Sequence, residues 1–421
     1  MPLLTGIAAL SIAIWMYLIL GRGGFWLARE RDDPVTAEGT RADALWSRAA
    51  SASRGRSAPP EFAQERREVA PPGGHWPAVT AVIPARDEAD VVDKSIGSLL
   101  RQDYPGPFTI ILVDDQSRDG TADAARACAA ASGAGDRLIV VRGRALPAGW
   151  SGKLWAIHQG AEQVGNQQNL PEYLLLTDAD IAYAPDTLRS LVARAQASEL
   201  VLVSLMAKLR CESFAEQMLI PAFIFFFQML YPFGWVNRPR STTAAAAGGC
   251  MLVRREALES IGGIASIRGA LIDDCTLAKA LKRIGPVWLG LTERARSLRP
   301  YARLQDIRRM VSRSAYDQLN YSPLLLSAAV VGLTVTFFVP PLLALFGSGW
   351  AQAMAAIAWL LMAIGFQPIL RFYRVSPLWG VALPAIAAFY LAFTLDSAYQ
   401  HWRGRGGLWK GRVQANLTET R

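Results

Sequence analysis

Three runs of branched apolar residues each end in acids. They are "AVTAVIPARDEAD" (residues 78–90), "FTIILVDDQSRDGT" (108–121) and "EYLLLTDAD" (172–180). Continuous Val/Ile/Leu runs are strands buried on both faces, as in a parallel sheet covered by helices. The segments between them read as amphipathic helices, "EADVVDKSIGSLLRQ", "TADAARACAAA" and "KLWAIHQGAEQV". The pattern predicts an α/β domain with a doubly wound, mostly parallel sheet. In such sheets ligands bind beyond the carboxyl ends of the strands, where all three acidic clusters fall. A buried, unpaired carboxylate is very costly, so acids gathered at one edge imply a counter-charge. A hard divalent ion with oxygen ligands fits, because Mg²⁺ commonly completes its shell with substrate phosphate oxygens. On an extended segment Asp178 and Asp180 would point the same way. One would hold metal and the other a neighbouring hydroxyl, which suggests a nucleotide diphosphate. Singly, each cluster also reads as turn or cap chemistry: Asp119 and Thr121 suit the start of the next helix, with Gly120 making the turn.

The chain has 421 residues, 52% of them hydrophobic, with a formal net charge of +9. The apolar excess sits at the ends. Leu3–Leu20 is an uncharged apolar run of about 18 residues, long enough to span a bilayer. Its basic residues, Arg22, Arg29 and Arg31, follow the run, which fits an uncleaved anchor with the downstream chain in the cytoplasm. Residues 22–76 read as a linker, Arg/Ala/Ser/Glu/Pro-rich and partly disordered, with "ADALWSRAA" as a short helix. The catalytic-type domain is expected over 77–320. It is interrupted by the aromatic stretch 214–236, read as a helix lying in the membrane interface. Residues 321–396 hold three further apolar runs, Leu324–Phe346, Trp350–Leu370 and Val375–Phe393, each long enough to cross. Three crossings would put the basic tail, 397–421, on the wrong side for the positive-inside rule. The last run is therefore either re-entrant or an exception.

Nucleic acid is not an expected partner, because no basic stripe lies on a recognisable binding motif. Cys128, Cys211, Cys250 and Cys275 are scattered without a CxxC, and His75, His158 and His401 make no metal pattern. "GWSGKL" lacks the spacing of a P-loop, although Lys153 at a helix start could contact a phosphate. The tract "TTAAAAGG" reads as a loop at a site.

"VIPARDE", "VDDQSRDGT", "LLTDAD", "GGCMLVRREALESIGG" and "IDDCTLAKAL" together resemble the family 2 glycosyltransferases of GT-A fold, over about Ala78–Leu319. The flanking apolar runs, "GWSGK" and the closing "WKGR" resemble a narrower group, the hopanoid biosynthesis-associated glycosyltransferases. They are also similar to ceramide glucosyltransferases and carotenoid glycosyltransferases. The resemblance implies that Pro84, Arg86 and Glu88 line the nucleotide pocket and that Asp115 binds the uracil edge. It implies Asp178 at the ribose or diphosphate, Asp180 ligating Mg²⁺ or Mn²⁺, and Asp274 as catalytic base, with Asp273 the second choice. Asp87 stands where asparagine is common, and Asp273 where glutamate is usual. Arg313 would hold the diphosphate leaving group, within "MVSRS" in place of "QxxRW". The missing Gln and Trp argue against a processive polymer synthase.

The chemistry agrees. Inverting transfer needs one base for the acceptor hydroxyl and charge stabilisation on the departing diphosphate. The expectation is a multi-pass enzyme of a bacterial-type inner membrane, with its catalytic domain in the cytoplasm. It would move a sugar from a UDP-sugar donor to a lipid acceptor, a hopanoid on the resemblance. Alternatives are a transferase acting on a polyprenyl phosphate or polysaccharide, a non-catalytic lipid-transport or scaffold protein, and a nucleotidyltransferase. The last usually carries an early Gly-rich phosphate loop, which "VIPARDE" lacks.

Overall fold

The computed structural model describes residues 2–32, 75–165, 169–404, 408–409 and 412–413. The expected linker helix "ADALWSRAA" lies outside the described residues, as does most of the basic tail. Besides a short pair, Leu408–Trp409 with Arg412–Val413, the strands are β1 (Val79–Ala85), β2 (Phe108–Asp114), β3 (Leu138–Arg142), β4 (Tyr173–Thr177), β5 (Ile181–Tyr183), β6 (Leu202–Lys208), β7 (Cys250–Arg254) and β8 (Val287–Ser297). The helices begin with α1 (Pro2–Leu20), α2 (Val92–Leu100), α3 (Thr121–Ala131), α4 (Gly152–Gly165), α5 (Thr187–Ala197), α6 (Phe214–Leu230) and α7 (Phe233–Val236). They continue with α8 (Arg255–Ser260), α9 (Asp273–Leu281), α10 (Leu304–Ser312), α11 (Pro323–Leu333), α12 (Val339–Phe346), α13 (Gly349–Tyr373) and α14 (Leu383–Trp402).

The eight strands form one sheet in the order β3-β2-β1-β4-β7-β6-β8-β5. β1 to β4 pair in parallel, as the continuous apolar runs predict. β7 lies antiparallel between β4 and β6, and β5 closes the edge antiparallel to β8. The sheet is thus mixed but mostly parallel. Every residue of β1 and β4 is buried, because one apolar cluster covers each face of the sheet.

The segment after α1 is not free chain. Arg31 bridges to Leu291 of β8, and the buried Asp32 pairs with Arg194 and Arg294 at 3.3 and 3.0 Å. Residues 22–32, expected as linker, are folded onto the domain. The pattern gave no hint because one bridge carries no periodicity.

Among the described residues, four apolar helical spans are long enough to cross a membrane: Pro2–Leu20, Phe214–Val236, Pro323–Phe346 and Gly349–Tyr373. The third contains a π turn, Thr334–Phe338, just before Pro340 and Pro341. Prolines remove helical donors and free the preceding carbonyls. Ser11 Oγ donates to Val335 O at 2.9 Å and Trp15 Nε1 to Thr336 O at 2.8 Å, so α1 satisfies them.

The last apolar run differs from the expectation. It begins with a turn at Pro377–Gly380, and α14 starts only at Leu383. Lys208 Nζ donates to Phe372 O at 2.9 Å and Arg374 pairs with Glu293 at 3.4 Å, so α13 ends against the sheet domain. The chain then doubles back along α13, where Trp359 Nε1 donates to Val381 O at 3.0 Å. From there α14 returns, and its C-terminal half meets the domain through Asp396 and Ser397. α14 thus begins beside the middle of α13 and ends at the domain.

α6 is wedged between domain and apolar helices. Phe225 packs on Phe25 and Phe366 with ring centroids at 5.3 and 5.1 Å, and Phe226 on Phe337 and Tyr390 at 5.6 and 4.9 Å. Its start is a capping box of Ser213 and Glu216.

Candidate active site

A cavity of about 770 Å³ opens at the carboxyl edge of the sheet. Six carboxylates line it, Glu88, Asp90, Asp178, Asp180, Asp273 and Asp306, with four cations, Lys153, Arg299, Arg309 and Arg313. Pro84, Ser151, Ala270, Leu271, Tyr301 and Met310 contribute the rest of the wall that matters here.

The strand ends place the first acids. β1 stops at Ala85, and the chain turns through Asp87, which sits in the left-handed region (φ 51°). Asp87 is pinned there by Ser117, whose Oγ accepts from its amide at 3.0 Å, and by Arg118, whose amide donates to Asp87 Oδ1 at 2.8 Å. Asp119 accepts from Thr121 and from the Ala89 amide, and Thr121 Oγ1 accepts from the Glu88 amide. Part of the second acidic cluster is therefore structural stitching that aims Glu88 into the cavity. Asp115 is fully buried, with Arg86 donating to its carbonyl at 2.5 Å and lying 3.6 Å from its carboxylate. Neither Arg86 nor Asp115 is among the cavity's lining residues, whereas Pro84 and Glu88 are.

Asp178 and Asp180 lie in the turn after β4, not on an extended segment. Their side chains accordingly diverge. Asp178 Oδ1 is 2.9 Å from Lys153 Nζ, and Asp180 Oδ2 is 3.0 Å from Arg299 Nε. Arg299 also pairs with Glu88 at 2.5 Å. Lys153 reaches Asp273 Oδ2 at 3.2 Å, so it stands between two carboxylates at the head of α4. Burial opposes its charge, but Asp178, Asp273 and Asp274 overcome that and hold Lys153 protonated, its pKa above the ordinary value. Burial raises the pKa of Asp178, and the neighbouring Asp180 charge adds to the rise against the pull of Lys153. Carboxylates so disposed favour an added cation.

Asp273 and Asp274 open α9, where carboxylates suit the helix start. They are not equivalent. Asp273 lines the cavity. Asp274 accepts from the Gly248 amide at 2.8 Å and from the Cys275 amide at 2.7 Å. Burial first, then the Asp273 charge, push Asp274 up to about 6, against Lys153 and the two amides. The "TTAAAAGG" tract is the loop that delivers Gly248. Lys282 fixes that loop, donating to Val236 O and Thr243 O, both at 2.6 Å.

Among the described residues, no three or more His, Cys, Asp or Glu side chains form a ready-made metal cage. The donor set still fits Mg²⁺ or Mn²⁺, since such ions need only one or two carboxylates when substrate phosphates supply the remainder. Asp180, with Asp178 beside it, meets that requirement from the cavity wall.

Arg313 lines the cavity as expected, and three residues that sequence reasoning missed stand with it: Arg299, Tyr301 and Arg309. Tyr301 is tied to α6, its amide donating to Glu216 Oε1 at 2.8 Å. A signal existed in "SLRPYARLQDIRRMVSR", a basic stretch just past the last strand, hence at the same edge as the acids.

No curated protein matches the chain. Solved structures similar to it include a mannosyltransferase from Pyrobaculum calidifontis in complex with GDP-mannose and Mn²⁺. It is 18% identical, with 92% of this chain and 99% of that one covered and a TM-score of 0.49. Glucosyl-3-phosphoglycerate synthase from Mycobacterium tuberculosis, in complex with Mn²⁺, UDP-glucose and glycerol 3-phosphate, is 19% identical. There the cover is 56% of this chain and 78% of that one, with a TM-score of 0.34. Mannosyl-3-phosphoglycerate synthase from Rubrobacter xylanophilus is 18% identical, with 56% and 70% covered and a TM-score of 0.34. Residues 80–262, which carry Pro84, Glu88, Asp178 and Asp180 in a GT-A-like mixed sheet, match the model of Glycosyl transferase family 2.

Proposed function

We propose that the protein is a membrane-bound, metal-dependent, inverting glycosyltransferase. It moves a sugar from a UDP-sugar to the hydroxyl of a lipid at the surface of a bacterial-type inner membrane, with its catalytic domain on the cytoplasmic side. The observation that carries this reading is the cavity itself. Asp178, Asp180, Arg299, Arg309 and Arg313 line one cavity of about 770 Å³, beside helices long and apolar enough to span a bilayer. A hopanoid acceptor rests on the resemblance of the flanking segments and of "GWSGK" to the hopanoid-associated group.

In this mechanism Pro84 and Glu88 shape the nucleotide pocket, with Asp115 and Arg86 behind them. Asp180, with Asp178, would hold Mg²⁺ or Mn²⁺, which when bound supplies positive charge at the diphosphate. Arg313 and Arg309 grip the departing diphosphate. Asp274 takes the proton of the acceptor hydroxyl as that oxygen attacks the anomeric carbon. Its pKa of about 6 suits a base, because the group is ionised at neutral pH yet still basic. Lys153 keeps Asp178 and Asp273 compensated and in place. α6, tied to Tyr301, forms the boundary across which a lipid headgroup enters.

A second reading has one observation behind it. Arg309 and Arg313 line the cavity without a carboxylate partner within ion-pair distance among the described residues, which would also suit a polyprenyl phosphate acceptor. Lipid analysis of a strain lacking the protein separates the two. Loss of a neutral glycosylated lipid supports the hydroxyl acceptor, and loss of a sugar-phosphate polyprenol supports the alternative. An unchanged lipid profile contradicts both.

A further inference from the structure

α10 presents opposite faces to two different neighbours. Asp306, Arg309, Met310 and Arg313, at the i, i+3, i+4, i+7 spacing of one helical face, line the cavity. Arg308 and Ser312 project from the far side onto α14. Arg308 meets Asp396 with two parallel bonds, Nε to Oδ2 at 3.0 Å and Nη2 to Oδ1 at 2.9 Å. Ser312 Oγ donates to Phe393 O at 3.0 Å, and just past the helix the Tyr316 amide donates to Ser397 Oγ at 3.0 Å. Asp396 stands in the polar C-terminal part of α14, beside Ser397 and Gln400, where Arg308 is its cationic partner. A forked guanidinium–carboxylate pair fixes direction as well as distance.

We infer that Asp396 is a positioning residue: through Arg308 it sets the rotation of α10 and so aims Arg309 and Arg313 at the anionic part of the ligand. The membrane-facing helix α14 thereby holds the phosphate grip of a cavity it does not line. The cavity's other membrane-side tether, Glu216 to the Tyr301 amide, holds the same wall from α6. The inference rests on the proposed reading that the cavity takes a nucleoside diphosphate.

The test measures binding of UDP with Mg²⁺, and of uridine, to the full-length protein in detergent by calorimetry. Asp396→Asn keeps the shape and removes the charge. UDP affinity should fall about three- to tenfold, with uridine affinity unchanged, as for a substitution that weakens coupling without touching the ligand. The exchanged pair Arg308→Asp/Asp396→Arg should recover most of the loss. Wild-type UDP affinity in Asp396→Asn overturns the inference, as does a loss shared equally by uridine, which would report general damage. Arg313→Ala separates this from the parent reading. If Arg313→Ala weakens UDP binding and Asp396→Asn does not, the coupling alone fails. If the wild-type protein binds no UDP, the donor reading fails and the coupling with it.

Discussion

At the scale of residues, the site turns on how each carboxylate is compensated. Asp178, Asp180, Glu88 and Asp273 all have cationic partners within 3.2 Å. Asp274 instead has two backbone amides, and burial, then the Asp273 charge, push its pKa up to about 6. The general base must be ionised, so kcat/KM should rise with pH through about 6 and then level. Asp274→Asn should remove that limb and lower turnover by about 10³-fold or more while UDP binding persists. If Asp273→Asn does this and Asp274→Asn does not, the base is one residue earlier. The acids were legible in the sequence because strand-ending acids of a parallel sheet share one edge whatever the loops do. Arg299 was not, because its partners Glu88 and Asp180 lie 211 and 119 positions away and only the closed sheet brings them together.

At the scale of elements, the parallel half of the sheet was readable from unbroken Val/Ile/Leu runs. The antiparallel β7 was not, since "CMLVR" is as apolar as its parallel neighbours and direction leaves no mark on composition. The divergence of Asp178 and Asp180 was missed for a related reason: a strand period was applied to residues that form a turn. α14 was misjudged in extent. The apolar run begins at Val375, but the helix begins at Leu383, after a turn led by Pro377. The return of α14 to the domain predicts the side of the tail. A fluorescent protein fused after Arg421 should glow in the cytoplasm, and an alkaline phosphatase fused there should stay inactive. The reverse pattern would mean that α14 crosses.

For the whole molecule, the first apolar helix and the eight-stranded sheet are one unit, joined by residues 22–32. Arg22 donates to Met229 O at 2.7 Å, and Asp32 sits buried among Ser190, Arg194 and Arg294. Removing one member of a buried ion network strands the others, at a cost of about 3–5 kcal/mol. Asp32→Ala should therefore lower the melting temperature of the detergent-solubilised protein by several degrees, and an unchanged melting curve would show that the clamp carries no load. The linker pattern concealed this clamp because Arg, Glu and Asp look the same in sequence whether solvated or paired.

The proposed activity is transfer of sugar from a nucleotide donor in this cavity with the help of a divalent ion at Asp180. The most direct measurement is release of UDP from a panel of UDP-sugars by the purified full-length protein, with Mg²⁺ or Mn²⁺ and with chelator. Turnover is expected with at least one donor, with loss of it in chelator and a loss of about 10²-fold or more in Asp180→Ala, as for removal of an electrostatic contact to the transition state. Undiminished turnover in chelator or in Asp180→Ala would contradict it.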